Sequence, residues 1–179
     1  MGYEDTFVYF YRMKDLKLNI VRAGSEKEKT TCAEIMAGSE PWTTLGINMD
    51  HIMHILDDPL HEVYVACMED EIVGTMVIHT KGAFSGYLKS IAVKPEWRGK
   101  KLGEQMMHYI EKEIFSTQKN LFLCVSSFNL QGQRFYTKLG YEKIGELKDY
   151  LVKGHDEILM RKTIAPILPG PLSKAGHEP

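Results

Sequence analysis

The sequence has few cysteines and almost no net charge, and each scarcity excludes a class of protein. Its three cysteines, Cys32, Cys67 and Cys124, show no Cys-x-x-Cys spacing. This usage fits a reducing compartment better than a disulfide framework, so a cytoplasmic location is expected. The formal net charge of −2 gives no overall attraction to nucleic acid or to an anionic membrane. We therefore expect a small partner rather than a polyanionic one.

Long hydrophobic runs are also missing. Residues 1–15 are rich in aromatic side chains but are interrupted by charged ones, so neither a signal peptide nor a membrane span is expected there. We expect an N-terminal extension over 1–16 and one domain over 17–163. A poorly ordered tail is expected over 164–179, which holds four of the seven prolines.

The patterns that are present alternate between strand and helix. Ser25 and Glu28 form a capping box that predicts a helix to about Met36, and a second helix is predicted between Asn48 and the stop at Pro59. A short helix is predicted over 130–139, with Gly140 at its end. Stretches rich in β-branched residues predict strands. The predicted strands are 18–22, 63–68, 72–78, 87–93 and 121–125, followed by a closing hairpin within 148–160.

A short basic turn follows the strand that ends at Val93. It contains Gly99 together with the cations Arg98, Lys100 and Lys101, and it leads directly into an amphipathic helix predicted over 102–115. Glycine lets successive N–H groups at a helix start converge on one point, and the three cations add full positive charge. The turn therefore predicts an anion site. Neither the P-loop spacing nor the Gly-x-Gly-x-x-Gly spacing of dinucleotide folds is present.

Two motifs carry a family resemblance. Arg98-x-x-Lys101-x-Gly103 resembles the acyl-CoA signature Gln/Arg-x-x-Gly-x-Gly/Ala of the GNAT superfamily of N-acyltransferases, with Lys101 in place of the central glycine. Further along, the set Asn129, Phe135, Tyr136, Lys138, Leu139, Gly140 and Tyr141 resembles the second signature of that family. The two motifs occur in the family's order, and the resemblance covers roughly 17–163.

The resemblance implies an α/β (α+β) fold: a mixed, mostly antiparallel central sheet of six to seven strands with a splayed central pair, flanked by about four helices. It also implies an N-acetyltransferase that moves an acetyl group from acetyl-CoA to a primary amine, by direct attack through a tetrahedral intermediate. The acceptor is expected to be a small molecule or the N-terminus of a peptide or protein. Neither a nucleic acid nor a membrane is expected as a partner, and a homodimer stays open.

The resemblance further assigns residues to the cofactor. Backbone groups of Ile91, Ala92 and Val93 are expected to bind the pantetheine arm and the acyl oxygen. Asn129 is expected to contact the arm, and Tyr136 to protonate the leaving thiolate, because a phenol with a pKa of about 10 can donate to a thiolate of pKa about 8.5. The pyrophosphate is expected on the amides of Arg98, Gly99, Lys100, Lys101, Leu102, Gly103 and Glu104.

The general base stays open at this point. Tyr87 occupies the place where several family members carry a glutamate. Glu40, in the loop beside Pro41 and Trp42, is the catalytic residue that we name, and the alternatives are Asp50, His51, His54, His79 and a water molecule. No metal site is expected, since His51 and His54 lack a third ligand. Trp42, Phe84 and Tyr150 are expected either to line an acceptor pocket or to pack at the edge of the core.

A non-catalytic acyl-CoA-binding sensor or interaction domain is the alternative from another functional class. Tyr136 argues for an enzyme, because a binding module needs no proton donor at the thiolate. Tyr87 argues mildly for the binding module, because a tyrosine occupies the place where several family members carry a glutamate.

Overall fold

The computed structural model describes residues 17–82 and 85–168, whose strands form one seven-stranded sheet. The expectations for residues 1–16, for Phe84 and for residues 169–179 lie outside the described residues. The strands are β1 (Leu18–Arg22), β2 (His61–Met68), β3 (Glu71–His79), β4 (Tyr87–Val93), β5 (Asn120–Ser126), β6 (Glu142–Val152) and β7 (His155–Thr163). The helices in this part of the chain are α1 (Glu26–Ala37), α2 (Met49–Asp57), α3 (Leu102–Thr117) and α4 (Leu130–Lys138).

Local signals set the ends of the helices. The predicted capping box is confirmed: the Glu28 amide donates to Ser25 Oγ at 3.3 Å, and the Glu28 carboxylate accepts from the Ser25 amide at 2.9 Å. Asn48 caps α2 by accepting from the His51 amide at 3.0 Å. Gly140 follows α4 with a φ of +87°, the left-handed conformation that ends many helices. The sequence signals therefore place these three helices correctly.

The strand order is β1-β2-β3-β4-β5-β7-β6. Every neighbouring pair in this order is antiparallel except β4 and β5, which run parallel. The parallel pair is joined at only two register positions, Tyr87 with Phe122 and Leu88 with Leu123. Beyond Leu88 the two strands separate. The expected mixed sheet with a splayed central pair is thereby confirmed.

The two faces of the sheet are covered by different helices. On one face α3 buries Met106, Met107 and Ile110 against strand residues that include Leu121 and Leu123. On the other face a second cluster joins α1 and α2 to β2 and β3, with Met36, Ile52 and Val65 fully buried. Burial of each such side chain stabilises the fold by roughly 1.5–3 kcal/mol. No helix in the described ranges is long and apolar enough to cross a membrane.

The strands differ from the sequence prediction mainly in length. The hairpin β2–β3 is longer than predicted at both strands, and β6 begins at Glu142 rather than at Lys148. Strand β6 lies at the edge of the sheet and is largely exposed, so its sequence lacks the apolar alternation that marks a strand with one buried face. Strand β6 is identified by its hydrogen-bonded pairing with β7.

Gly86 fixes the point where β4 meets β5. Its amide donates to the His79 carbonyl at 2.9 Å, and its carbonyl accepts from the Phe122 amide at 2.8 Å. Its φ is +83°, and a Cβ placed there would lie 2.6 Å from the Asn120 carbonyl oxygen. Only glycine allows this approach of two backbones.

Replacing Gly86 by alanine should therefore destabilise the protein more than replacing Gly82, whose φ is +81° but whose Cβ would meet nothing within 4 Å. Gly82→Ala should cost about 1–2 kcal/mol for the left-handed conformation alone. Gly86→Ala should cost a further 1–3 kcal/mol or so, because one of the two backbones must move. Urea denaturation of both variants measures the difference, and equal losses would contradict the close approach.

Candidate functional site

A cleft of about 330 Å³ opens where β4 and β5 separate. Its walls come from four parts of the chain: the loop after α1, strand β4 with the basic turn, the end of β5 with α4, and the β6–β7 hairpin. The lining residues used below are Glu40, Trp42, Tyr87, Lys89, Ile91, Val93, Arg98, Gly103, Cys124, Ser126, Asn129, Gly132, Phe135, Tyr136, Tyr150 and Glu157. The two signature motifs therefore meet at one cleft, although they are distant in sequence.

The register of β4 decides which of its backbone groups face this cleft. The Lys94 amide donates to the Val73 carbonyl at 2.9 Å, and Ala92 and Ser90 occupy the equivalent positions toward β3. Because bonding direction alternates along an antiparallel strand, Ile91 and Val93 direct their N–H and C=O groups to the opposite edge, which β5 has left. Of the three residues expected to bind through backbone groups, Ala92 is the one turned toward β3.

The turn after β4 has the geometry of an anion site. Gly99 has a φ of +74°, and Lys101, which caps α3, has a φ of +60°. Lys101 thus adopts the left-handed conformation that suits the glycine of the related signature. Its side chain makes no capping hydrogen bond, and the first bond of the helix runs from the Gln105 amide to the Lys101 carbonyl at 3.1 Å. The first-turn amides of α3 therefore have no acceptor within the helix.

The cations of the turn are held in different ways. Arg98 donates from Nε to the Val93 carbonyl at 2.9 Å and from a terminal nitrogen to Ser39 Oγ at 3.0 Å. These two bonds tie the turn to the end of β4 and to the loop after α1. Lys100 places its ammonium 4.5 Å from the centroid of the Trp97 ring. Leu102 contributes only its backbone to the turn, because its side chain is buried with Met68 and Val73.

Asn129 caps the start of α4. Its Oδ1 accepts from the Gly132 amide at 2.8 Å, which leaves the Nδ2 donor of the same side chain at the cleft wall. Gly132 is needed for this packing, since a Cβ there would lie 2.9 Å from Asn129 Nδ2 and 3.0 Å from a methyl of Val125. The cap and a contact to a ligand are compatible, because they use different atoms of the amide.

Tyr136 lies half-buried in the wall of the cleft. Its ring packs edge-on against Phe135 and Tyr141, with centroid distances of 5.2 Å and 5.8 Å. Burial raises the pKa of Tyr136 above its ordinary value. The phenol therefore stays protonated throughout the neutral range and can serve as a proton donor.

Glu40 lines the cleft but is poorly suited to accept a proton. Its Oε1 accepts hydrogen bonds from Thr43 Oγ1 at 2.7 Å and Thr44 Oγ1 at 3.0 Å, and these bonds lower the pKa of Glu40. An exposed carboxylate with a lowered pKa is a weak base. The carboxylate stabilises its own loop instead.

The structure brings none of the other candidate bases to the cleft. Asp50, His51 and His54 lie on the exposed side of α2, and His79 packs edge-on against His61 at 5.7 Å. Trp42 and Tyr150 do line the cleft. Among residues 17–82 and 85–168, no group of three His, Cys, Asp or Glu side chains is placed to hold a metal ion.

Glu157 is a site residue that sequence reasoning missed. It is 1% exposed, lines the cleft from β7, and accepts a hydrogen bond from Ser126 Oγ at 2.5 Å. Burial raises the pKa of Glu157, while the bond from Ser126 and the charges of Lys89 and His155 act in the opposite direction. In the sequence, Glu157 is marked only by its place directly before the apolar Ile158. The sequence alone could not pair its carboxylate with Ser126.

Tyr87 and Cys124 complete this end of the cleft. Their side chains share a hydrogen bond, and burial raises the pKa of both groups. Both are therefore uncharged near neutral pH. Glu157 is the ionisable acid beside them, at the position where the cleft opens toward Tyr150.

Comparison with known proteins gives a consistent picture. Residues 59–143 match the family model described as "Acetyltransferase (GNAT) domain". An uncharacterized N-acetyltransferase of Methanocaldococcus jannaschii is 32% identical over 111 residues, which span 61% of this chain and 70% of that protein. The matched segment of the family model contains β4, the basic turn, α3 and α4.

Solved structures share the fold. A Bacillus subtilis acetyltransferase in complex with CoA superposes with a TM-score of 0.68 at 15% identity, covering 83% of this chain and 100% of that chain. The aminoglycoside 6'-N-acetyltransferase from Enterococcus faecium superposes with a TM-score of 0.67 at 19% identity, covering 84% of this chain and 99% of that chain. At these identities the likeness concerns the fold alone.

The left-handed conformation of Lys101 makes a stability prediction. Lys101→Gly should be more stable than Lys101→Ala by about 1 kcal/mol, because a Cβ is disfavoured at a φ of +60°. At Lys100, which lacks a positive φ, the order should reverse or vanish. Thermal denaturation of the four variants tests this, and the same order at both positions would argue against the turn geometry.

Proposed function

The chain belongs to the GNAT superfamily of acetyl-CoA-dependent acetyltransferases, and from that premise we propose that it transfers the acetyl group to a primary amine. The amine belongs to a small molecule or to the N-terminus of a peptide or protein. The transfer is a direct attack of the amine on the thioester, through a tetrahedral intermediate. Family membership makes the chain an enzyme, so the alternative of a non-catalytic binding module is not retained.

One observation carries the proposal: the gap between β4 and β5 leads from the uncapped start of α3 to Tyr136. The amides at the start of α3 and the charges of Arg98 and Lys101 fit a diphosphate. The free edge of β4 at Ile91 and Val93 offers hydrogen bonds to an extended chain of amides such as pantetheine. Gly103 and Asn129 line the same path.

The residues present fit the steps of the reaction. An N–H group on the free edge of β4 is suited to hold the thioester oxygen, where negative charge develops in the tetrahedral intermediate. When the carbon–sulfur bond breaks, its electron pair goes to sulfur, and the Tyr136 hydroxyl supplies the proton. The neutral phenol suits this role because burial raises its pKa.

The reaction class is tested by release of free thiol from acetyl-CoA in the presence of single amines. A diamine, an aminoglycoside and a peptide with a free N-terminus are suitable probes, because they differ in size and in amine basicity. Thiol release that depends on one of these amines, with the acetylated amine identified by mass, supports the proposal. Tight binding of acetyl-CoA without turnover on any amine would contradict it.

Gly103→Glu should weaken CoA binding by roughly 100-fold, because a carboxylate at the helix start repels the diphosphate that the amides attract. Gly103→Ala is the matched control: its Cβ would lie 3.5 Å from the Phe135 ring, an ordinary contact. Titration calorimetry with CoA measures both variants. Unchanged affinity in Gly103→Glu would place the diphosphate elsewhere.

Tyr136→Phe should lower kcat by roughly 100-fold or more while leaving acetyl-CoA affinity unchanged, because it removes the proton donor but keeps the ring. Tyr141→Phe is the control, since Tyr141 is buried, its hydroxyl lies beside Glu111 of α3, and it is outside the cleft lining. Steady-state kinetics with the amine found above measure both. Equal activity of Tyr136→Phe and wild type would remove Tyr136 from the reaction.

A further inference from the structure

Two glutamates of the described residues are buried, and they differ in how their charge is compensated. Glu111 on α3 forms an ion pair with Lys162 at 2.8 Å. Glu157 on β7 is more deeply buried, yet it takes part in none of the ion pairs within the described ranges. A buried carboxylate without a counter-ion is costly, so the fold retains Glu157 at a price in stability.

The surroundings of Glu157 show where a counter-ion can come from. The carboxylate lies in the wall of the cleft, and its Oε1 accepts a hydrogen bond from Ser126 Oγ. Ser126 and Glu157 are direct register partners on β5 and β7, so the strands hold this pair in place. A ligand in the cleft can therefore approach a carboxylate that is already fixed in position.

Two aromatic side chains at this end of the cleft suit an alkylammonium group, although the Lys89 ammonium also lies in the lining. The aromatic side chains of Tyr87 and Tyr150 line it, and ring faces attract cations. Glu40 is the other carboxylate in the cleft lining, and its Oε1 is occupied by two threonine hydroxyls. Glu157 is thus the acid of the cleft that can both attract a cation and accept a proton from it.

We propose that Glu157 binds the protonated acceptor amine and removes its proton before attack, which defines the substrate class as primary alkylamines that are cationic in solution. This inference rests on the proposed acetyl transfer and adds its missing base. It does not depend on Glu40, which the sequence alone had singled out.

Every proton of the proposed step is accounted for. The ammonium gives one proton to the Glu157 carboxylate, and the neutral amine forms the carbon–nitrogen bond. The nitrogen then loses a second proton, Tyr136 supplies one to the departing sulfur, and Tyr136 is reprotonated by the proton from nitrogen. Glu157 finally releases its proton to solvent. The products are the acetylated amine, free CoA and one proton.

The experiment compares Glu157→Gln with Glu40→Gln, using the amine of the diamine, aminoglycoside and peptide panel that wild type acetylates fastest. Glu157→Gln should lower kcat/KM for the amine by roughly 100-fold or more, without changing acetyl-CoA affinity by calorimetry. Its residual activity should rise with pH as the amine loses its proton in solution. Glu40→Gln should lower kcat/KM for the amine by roughly 10-fold less than Glu157→Gln does, because Glu40 Oε1 is already occupied by two threonine hydroxyls.

Ser126→Ala is a second variant that keeps the carboxylate. Because the Ser126 hydrogen bond lowers the pKa of Glu157, its loss should move the acid limb of the kcat/KM profile to higher pH. A group with a merely structural role would not move this limb. The titratable or charged groups that face Glu157 are Tyr87 and Lys89 from β4, Cys124 from β5 and His155 from β7, and Tyr150 from β6 faces Tyr87.

The outcomes separate the two proposals. Wild-type protein that binds acetyl-CoA but acetylates none of the amines contradicts the proposed function, and this inference with it. Wild-type turnover together with a fully active Glu157→Gln contradicts this inference alone. Should Glu157→Gln fail to fold, an unshifted acid limb in Ser126→Ala overturns the inference independently.

Discussion

The site depends on one constraint in the sheet: β4 and β5 run parallel, pair at two positions and then separate. Gly86 fixes the start of this fork, because only glycine lets its backbone lie so close to Asn120. The separation leaves the Ile91 backbone groups and the Val93 N–H without a strand partner, while the Val93 carbonyl accepts from Arg98 Nε. Unpaired backbone groups in a sheet interior are costly unless something binds them, and here a ligand with amides of its own can do so. The separation of β4 and β5 therefore leaves backbone hydrogen-bonding groups available to a ligand.

The two ends of this gap carry opposite charge. At one end lie Arg98, Lys101 and the start of α3, and at the other end lies the buried carboxylate of Glu157. The formal net charge of −2 does not reveal this separation of charge, because positive and negative side chains nearly cancel in the sum. An anionic donor and a cationic acceptor entering such a gap are directed to opposite ends of it.

The sequence predicted the parts of this arrangement that are local, and it missed the parts that depend on strand pairing. Capping residues and the helix after the basic turn are encoded within a few positions, so Ser25 and Asn48 could be interpreted correctly from spacing alone. The left-handed Lys101 could be anticipated only through the family motif, because lysine itself gives no sign of that conformation. Glu157 could not be found at all, since its importance arises from a register with Ser126 that no sequence separation reveals. For the same reason Glu40 looked attractive: it stands beside Pro41 and Trp42 in the sequence, but the threonine bonds that weaken it as a base appear only in three dimensions.

Tyr87 and Glu157 together explain how the cleft can lack the glutamate that several family members carry on β4. Tyr87 occupies that place, and its hydroxyl bonds to Cys124 rather than ionising. The carboxylate of Glu157 comes from β7, on the far side of β5, lies close enough to Tyr87 to raise its pKa, and accepts a hydrogen bond from Ser126 on β5. A larger residue at Ser126 would fill the volume between the two strands, and a glutamate at Tyr87 would place two buried carboxylates side by side, where both could not ionise together. The choice of tyrosine on β4 and of serine on β5 is therefore linked to the position of the acid on β7. The general base of this site is therefore identified by asking where a carboxylate has room, and not by inspecting one fixed position on β4.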